Sequence, residues 1–195
     1  NKMKLPHYHE SLDTLHAGTL PRRAYYVPAK DQETALLPRE ASDRLMLLSG
    51  DWAFFYAESD DLLPENFYEE DFAYTSFDVI PVPGNWQNFG YNRHNYLNVA
   101  YPFPYDPPYV PEDNACGVYI RTFEALEDGY EKHLVFEGVD SCFYVWVNGE
   151  FAGFSQISHS PSEFDITSLV RSGENRLTVL VYRWSAGSYL EDQDK

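Results

Sequence analysis

The sequence predicts an all-β fold, a jelly-roll β-sandwich, from three observations. Short apolar and aromatic runs recur at close spacing from residue 45 onward, with almost no helical period. Turn residues separate these runs, and Asn148-Gly149 between two aromatic runs suits a type I′ hairpin turn. Aromatic residues make up 17% of the chain, a composition that favours strands. Together these features predict antiparallel strands packed as two sheets.

The first part of the chain differs from the rest. Residues 1–44 are irregular because prolines interrupt any helical pattern, at Pro6, Pro21, Pro28 and Pro38. We expect residues 1–44 to form an extended N-terminal segment, an arm that packs on the domain. The jelly-roll domain itself is expected over residues 45–195.

Strands are expected where a short apolar run is bounded by turn residues. The first follows the Ser49-Gly50-Asp51 turn at residues 52–56, and a proline-limited edge strand covers 77–83. Five more are expected at 117–123, 132–136, 143–147, 150–155 and 176–184. Before the last of these, a short capped helical turn is predicted from Ser162, Asp165, Leu169 and Val170.

Charge and cysteine content narrow the possible functions. The net charge of −17 and the isoelectric point near 4.5 disfavour binding to nucleic acids or anionic membranes. No apolar run approaches the length of a membrane span, and the first residues lack the apolar region of a signal peptide. Of the two cysteines, Cys142 lies in an apolar run, where a buried thiol is expected. A cytoplasmic protein is therefore expected.

Sequence motifs of common catalytic centres are absent. The chain has no glycine-rich phosphate loop, no Cys-x-x-Cys pair, no His-Glu-x-x-His and no Gly-x-Ser-x-Gly. The histidines show no metal-ligand spacing and are expected to be structural or solvated: His7, His9, His16, His94, His133 and His159. The many acidic residues form pairs by chance, so composition alone selects no pair of catalytic carboxylates.

Aromatic rings combined with amides and carboxylates occur at residues 84–87, 91–98 and 192–194. This combination suits carbohydrate, because sugar C–H faces stack on rings while hydroxyl groups bind planar polar groups. The alternative is that Trp86 and Trp146 are core aromatics, which we favour for Trp146 because it lies inside a predicted strand. Around Asn98 and Asp194 the residues alone leave both interpretations open.

The last residues of the chain are unusually polar. Glu191, Asp192, Gln193 and Asp194 follow one another shortly after the last predicted strand. Carboxylates and amides at this density suit a cation, a sugar hydroxyl or a partner domain. We therefore expect the chain to be the front piece of a longer protein.

Two sets of motifs connect the chain to a known family. The first set is Val82-Pro83-Gly84-Asn85-Trp86-Gln87, Phe136-Glu137-Gly138-Val139-Asp140-Ser141, Trp146-Val147-Asn148-Gly149 and Pro161-Ser162-Glu163-Phe164-Asp165. The second set is Asn98-Val99-Ala100-Tyr101-Pro102 and Leu190-Glu191-Asp192-Gln193-Asp194. Together they resemble the N-terminal sugar-binding domain of bacterial β-galactosidases in glycoside hydrolase family 2. The first set recurs across that family, whereas the second is more particular to the β-galactosidases.

The resemblance implies a galactose-binding-domain-like jelly roll that forms one wall of the galactose pocket in a retaining β-galactosidase. Such enzymes hydrolyse terminal non-reducing β-D-galactose residues in β-D-galactosides such as lactose, with two glutamates roughly 5 Å apart. Those glutamates belong to a downstream TIM barrel, so the resemblance implies no catalytic residue in this chain and no activity of the chain alone. It implies substrate contacts from Asn98 and Asp194, and a sodium ion bound by Asp194.

The resemblance also implies cofactors and partners. Na⁺ and Mg²⁺ are implied for the full-length enzyme, and no cofactor is expected for the fragment alone. Some family members carry an acidic residue where this chain has Ala186. The expected partners are a small-molecule β-galactoside and the downstream domains of the same polypeptide, in a homo-oligomeric parent that binds neither nucleic acid nor membrane.

Two other functions are considered. A free-standing carbohydrate-binding module would need a complete aromatic platform within these residues. A complete small glycosidase would need a pair of catalytic carboxylates within this chain.

Overall fold

The computed structural model describes residues 5–24, 26–91 and 105–189, and strands dominate this part of the chain. The strands are β1 His16–Ala17, β2 Gly50–Ala57, β3 Asp78–Val82, β4 Cys116–Ala125, β5 His133–Phe136, β6 Cys142–Val147, β7 Glu150–Ser155, β8 Ser162–Asp165 and β9 Gly173–Tyr182. Within the described residues, helix is limited to α1, Gln32–Ala35, and to 3₁₀ turns at Tyr8–Glu10, Arg39–Ala41, Asp60–Leu62, Trp86–Phe89 and Ala186–Tyr189.

The strands form two antiparallel sheets. Seven strands make the larger sheet in the order β1-β7-β6-β9-β4-β2-β3, and β5 pairs with β8 in the smaller one. The longest pairing joins β4 and β9, with register from Cys116 opposite Tyr182 to Ala125 opposite Gly173. This architecture confirms the predicted all-β sandwich.

The hairpin between β6 and β7 has the turn that the sequence predicts. Asn148 and Gly149 have positive φ angles of 51° and 81°, as a type I′ turn requires. The Asn148 amide donates to the Leu169 carbonyl at 2.9 Å and to the Asn175 side chain at 2.8 Å. Its side-chain oxygen accepts from the Arg176 backbone N–H at 2.8 Å. The turn is therefore fixed both by backbone preference and by side-chain hydrogen bonds.

The predicted capped helical turn lies at residues 166–170, where the Ile166 carbonyl accepts from the Leu169 and Val170 N–H groups. Ser162 does not belong to this turn, because residues 162–165 form strand β8. Ser162 and Phe164 are buried while their neighbours are more exposed, an alternation that matches the period of a strand. Phe164 is fully buried in the core between the sheets, so packing determines the conformation of this segment. A turn does follow the strand, where Asp165 accepts a hydrogen bond from the Thr167 backbone N–H at 2.9 Å.

Both faces of the larger sheet are buried, because alternate residues of its strands enter two separate cores. All six residues of β6 are buried, with Val145 in the core that contains Phe164 and Trp146 in the opposite one. The opposite core is closed by Phe67 and by Tyr8 of the N-terminal segment. Covering a second sheet face explains why the chain carries so many aromatic residues.

The described part of the N-terminal segment contacts both sheets. Strand β1 pairs with β7 at the edge of the larger sheet. The Leu20 backbone N–H donates to the carbonyl of Glu163 in β8 at 2.7 Å. Arg23 donates to both carboxylate oxygens of Glu163, at 2.9 Å and 2.7 Å. The boundary between residues 44 and 45 stays a prediction.

Both cysteines are buried and unpaired, which confirms the buried thiol predicted at Cys142. Cys116 and Cys142 lie opposite the same residue, Tyr182, from the two strands that flank β9. Over residues 5–24, 26–91 and 105–189, the short helical segments include none with the length and hydropathy of a membrane span.

Candidate functional site

The two predicted site residues, Asn98 and Asp194, lie outside the residues that the structure describes. The structure does describe the chain on both sides of Asn98, up to Tyr91 and again from Tyr105, and the chain ahead of Asp194 up to Tyr189. The candidate site is thus defined by these flanking segments and by the side chains that hold them.

Tyr189 joins the two flanking segments. Its hydroxyl donates to the backbone carbonyl of Tyr109 at 2.6 Å and accepts from the backbone N–H of Asp106 at 3.3 Å. Its ring meets the Tyr105 ring edge-on, with 5.3 Å between centroids and an angle of 87°. The segment that follows Asn98 in sequence is therefore fixed to the segment that precedes Asp194.

A tight turn of buried serines carries the chain from β9 to Tyr189. The backbone N–H of Ser185 donates to the Ser188 hydroxyl at 3.0 Å, and Ser141 donates its hydroxyl to that of Ser185 at 3.1 Å. Directly ahead of the turn, the Asn114 side chain donates to the Trp184 backbone carbonyl at 2.8 Å. It also accepts from the Trp184 backbone N–H at 2.9 Å. Ser185 and Ser188 are almost fully buried, so the turn is held by satisfied hydrogen bonds rather than by solvent.

Gln156, at the end of β7, connects this turn to the N-terminal segment. Its side-chain nitrogen donates to the backbone carbonyls of Ser11 and Thr14, each at 2.7 Å, and lies 3.4 Å from that of Tyr8. Its side-chain oxygen accepts from the backbone N–H of Gly187 at 3.1 Å. One buried amide therefore links three parts of the chain that are distant in sequence.

Ala186 stands at the position where some family members carry an acidic residue, which is a potential ligand of an accessory metal. The Ala186 side chain is fully buried and offers no ligand atom. The backbone carbonyls of Ser11 and Thr14, which are oxygen ligands of the kind that a hard cation prefers, accept hydrogen bonds from the Gln156 amide. An accessory metal at this turn would therefore lack the ligand that an acidic residue at position 186 provides.

The two tryptophans named in the sequence analysis are core residues. Trp146 is 1% exposed and Trp86 is 5% exposed. Trp86 stacks against Phe54 with 6.1 Å between centroids, inside the core between the sheets. Neither ring is available as a platform for sugar. Exposed rings next to the candidate site occur instead at Tyr105 and Tyr109, which are 68% and 60% exposed.

Burial keeps the ionisable groups beneath this turn neutral. It raises the pKa of the Cys116 and Cys142 thiols well above the usual range, because the charged thiolate would lose its hydration. The pKa of Tyr182 is raised for the same reason, with Asp60 nearby adding to the effect. Neither thiol in the described part of the chain is thus an activated nucleophile at neutral pH.

Sequence reasoning missed the residues that hold the site, namely Asn114, Gln156 and Tyr189. Each acts through partners 31 to 145 positions away, so no local pattern indicates its role. The only available signal was the polarity of Gln156 at the end of an apolar strand, since a buried amide requires hydrogen-bond partners.

Comparisons with known proteins agree with this organisation. The family described as "Glycosyl hydrolases family 2, sugar binding domain" matches residues 45–195. A β-galactosidase from Actinobacillus pleuropneumoniae is 50% identical over 195 residues, and one from Staphylococcus xylosus is 45% identical over 191 residues. These matches cover 99% and 96% of this chain but only 19% of each relative. The chain thus spans about a fifth of the length of these relatives.

Solved structures give the same fold at lower sequence identity. The β-glucuronidase of Bifidobacterium dentium, in complex with coumarin-3-O-glucuronide, matches with a TM-score of 0.50 and 24% identity over 69% of this chain and 19% of its own. The β-glucuronidase of Faecalibacterium prausnitzii matches with a TM-score of 0.51 and 22% identity over 70% of this chain and 20% of its own. Because the family match covers residues 45–195, the chain belongs to the sugar-binding domain of the family 2 glycosyl hydrolases.

Proposed function

We propose that this chain is the N-terminal domain of a β-galactosidase and that it contributes one wall of the galactose pocket. The observation that carries this proposal is the alignment of β-galactosidases over nearly the whole chain at 45–50% identity. The full-length protein would hydrolyse terminal non-reducing β-D-galactose residues in β-D-galactosides such as lactose. The chain would be inactive alone, because the acid/base and nucleophile would lie in a downstream domain.

Within that pocket we assign substrate contacts to Asn98 and Asp194. This assignment is supported by the described flanks of these residues, which Tyr189 joins through its hydrogen bonds to Asp106 and Tyr109. An amide donates to and accepts from sugar hydroxyls, whereas a carboxylate accepts a stronger, charge-assisted hydrogen bond.

Asp194 would also hold a sodium ion. When bound, the ion supplies positive charge that attracts a sugar hydroxyl oxygen. The role of the protein is then to orient the substrate before any bond breaks, since correct placement contributes a large share of rate enhancement.

The remaining elements of the proposal concern the cell and the assembly. We propose a cytoplasmic location, which two buried and unpaired thiols support because reducing compartments keep cysteines in this state. We also propose that the downstream domains pack against this one and that the parent protein is a homo-oligomer. The chain covers only 19% of each of these relatives, and this supports the existence of further domains.

A substrate panel tests the proposal. The full-length protein would be assayed with chromogenic β-galactoside, β-glucuronide and β-mannoside, and the 195-residue chain would be assayed beside it. We expect turnover of the β-galactoside by the full-length protein and none by the chain. Preference for the β-glucuronide would contradict the substrate class. Micromolar galactose binding by the isolated chain in titration calorimetry would instead favour the free-standing carbohydrate-binding module.

A further inference from the structure

A cluster of potential metal ligands lies on the N-terminal segment, apart from the proposed sugar site. The 3₁₀ turn Tyr8–Glu10 folds His7, His9 and Glu10 together, so that one ligand atom from each lies within 4.8 Å of the others. The Nδ1 atom of His7 is 3.5 Å from a carboxylate oxygen of Glu10. The structure thus brings together two histidines whose sequence spacing had indicated no metal site.

The hydrogen bonds of Tyr144 determine the tautomer of His9. The Tyr144 hydroxyl donates its single proton to the carbonyl of Pro6 at 2.7 Å. It is also 3.0 Å from Nδ1 of His9, and this contact is a hydrogen bond only if Nδ1 carries the proton. Nε2 of His9 is then unprotonated and has a lone pair available.

That lone pair has no partner in the part of the chain that the structure describes. His9 is only 4% exposed, and its other hydrogen bond there is from its backbone N–H to the same Tyr144 hydroxyl, at 3.2 Å. Its ring is held by stacking on Tyr182, with 4.3 Å between centroids and an angle of 15°. Nε2 of His9 is therefore available to bind a cation.

The ligand chemistry selects the class of cation. Two imidazoles and one carboxylate suit a first-row transition metal such as Zn²⁺, whereas Mg²⁺ prefers oxygen ligands alone. A metal-binding imidazole commonly donates its other N–H to an oxygen acceptor, as His9 does to Tyr144.

We propose that His7, His9 and Glu10 form a binding site for a divalent transition-metal ion, typified by Zn²⁺, with water at the remaining position. His9 provides a fixed ligand, while the side chains of His7 and Glu10, which are 64% and 28% exposed, rotate to close around the ion. The bound ion would fasten the N-terminal segment to the core face formed by Tyr144 and Tyr182. The site is independent of the proposed hydrolase activity.

Metal titration of the full-length protein tests this proposal. After chelator treatment, Co²⁺ would be added as a spectroscopic probe and Zn²⁺ would be counted by elemental analysis. The variants His7→Ala and Glu10→Gln remove ligands without opening the core, because both side chains are partly exposed. The control is His159→Asn, which removes an exposed imidazole outside the cluster at a position with a φ of 61° that asparagine tolerates.

We expect the wild type and His159→Asn to bind one more equivalent of Zn²⁺ than either ligand variant. With Co²⁺, both proteins should show the visible absorption bands that low-symmetry coordination produces. The Co²⁺ affinity should fall at least about tenfold in each ligand variant, in line with the loss of a ligand. Equal stoichiometry and affinity in the wild type and in both ligand variants would overturn the proposal. So would the absence of any Co²⁺ band in the wild type.

Discussion

The hydroxyl of Tyr189 donates a hydrogen bond of 2.6 Å to the backbone carbonyl of Tyr109, across 80 positions of sequence. The same hydroxyl accepts from the Asp106 backbone N–H, so one side chain joins the turn at residues 106–109 to the turn at residues 185–189. These turns lead to the segments that contain Asn98 and Asp194. The position of the proposed sugar contacts therefore depends on a residue that is not proposed to touch sugar.

The first prediction concerns Tyr189→Phe in the full-length protein. The change removes the hydroxyl and keeps the ring, so it leaves the Tyr109 carbonyl without this donor. A net hydrogen bond is worth about 0.5–1.5 kcal/mol, and we expect a loss of about threefold to tenfold in kcat/KM for a β-galactoside. Tyr130→Phe is a control, because Tyr130 lies in another loop and its hydroxyl accepts a hydrogen bond from Arg44 at 2.8 Å. Equal effects of the two variants would contradict the positioning role.

The second prediction separates the two contributions to the Asn148-Gly149 turn. Asn148→Gly keeps a residue that favours positive φ but loses the three side-chain hydrogen bonds, whereas Asn148→Ala loses both. We expect Asn148→Ala to destabilise the chain by about 2–3 kcal/mol and Asn148→Gly by about 1–2 kcal/mol. Thermal unfolding of the 195-residue chain measures both. A glycine variant less stable than the alanine variant would contradict the turn assignment.

The third prediction concerns the ion pair between Arg23 and Glu163. Hydrogen bonds from Arg23 lower the pKa of the Glu163 carboxyl below its usual value of 4.5, and His133 contributes to the same shift. The ionised carboxylate is thus favoured in the folded state, and the unfolded chain binds the proton more readily. The stabilisation is complete above the ordinary pKa and is lost as pH falls through the lower folded pKa.

We therefore expect the wild type to lose more stability than Glu163→Gln between pH 5 and pH 3. The difference should be about 1 kcal/mol, because Arg23 is partly exposed and solvent screens the pair. Urea unfolding at a series of pH values measures this difference. If the two proteins lose stability in parallel over that range, the ion pair does not hold the N-terminal segment in solution.

The sequence predicted the features that depend on near neighbours. The Asn148-Gly149 turn was predictable because positive φ is a property of those two residues. The burial of Trp146 was predictable from its place inside an apolar strand. In contrast, Ser162 and Asp165 resemble a helix cap locally, and only the burial of Phe164 between the sheets determines that this segment is a strand.

The remaining features depend on contacts that no local pattern contains. Gln156 binds the carbonyls of Ser11 and Thr14 from 145 and 142 positions away, and the sequence indicates neither partner. The cluster of His7 and His9 was not expected, because the prolines of the first residues predicted irregular structure and no local pattern indicated the 3₁₀ turn Tyr8–Glu10 that folds these side chains together with Glu10. The conformation of this 3₁₀ turn depends on its hydrogen bonds to the Tyr144 hydroxyl.

The central claim is that Asp194 of this domain holds the sugar in the pocket of the full-length enzyme. The most direct test is kcat/KM for a β-galactoside in Asp194→Ala, with Asp71→Ala as a control that removes an exposed carboxylate from the loop between β2 and β3. A charge-assisted hydrogen bond is worth about 1.5–3 kcal/mol, and loss of the sodium ion adds to this. Asn98→Ala should have a smaller effect because an amide carries no charge.

We predict that Asp194→Ala lowers kcat/KM by at least about 100-fold, that Asp71→Ala leaves it unchanged, and that both proteins melt at the wild-type temperature. If kcat/KM of Asp194→Ala stays within about twofold of the wild type, the sugar pocket does not use this carboxylate, and the account of this domain as a wall of that pocket is wrong.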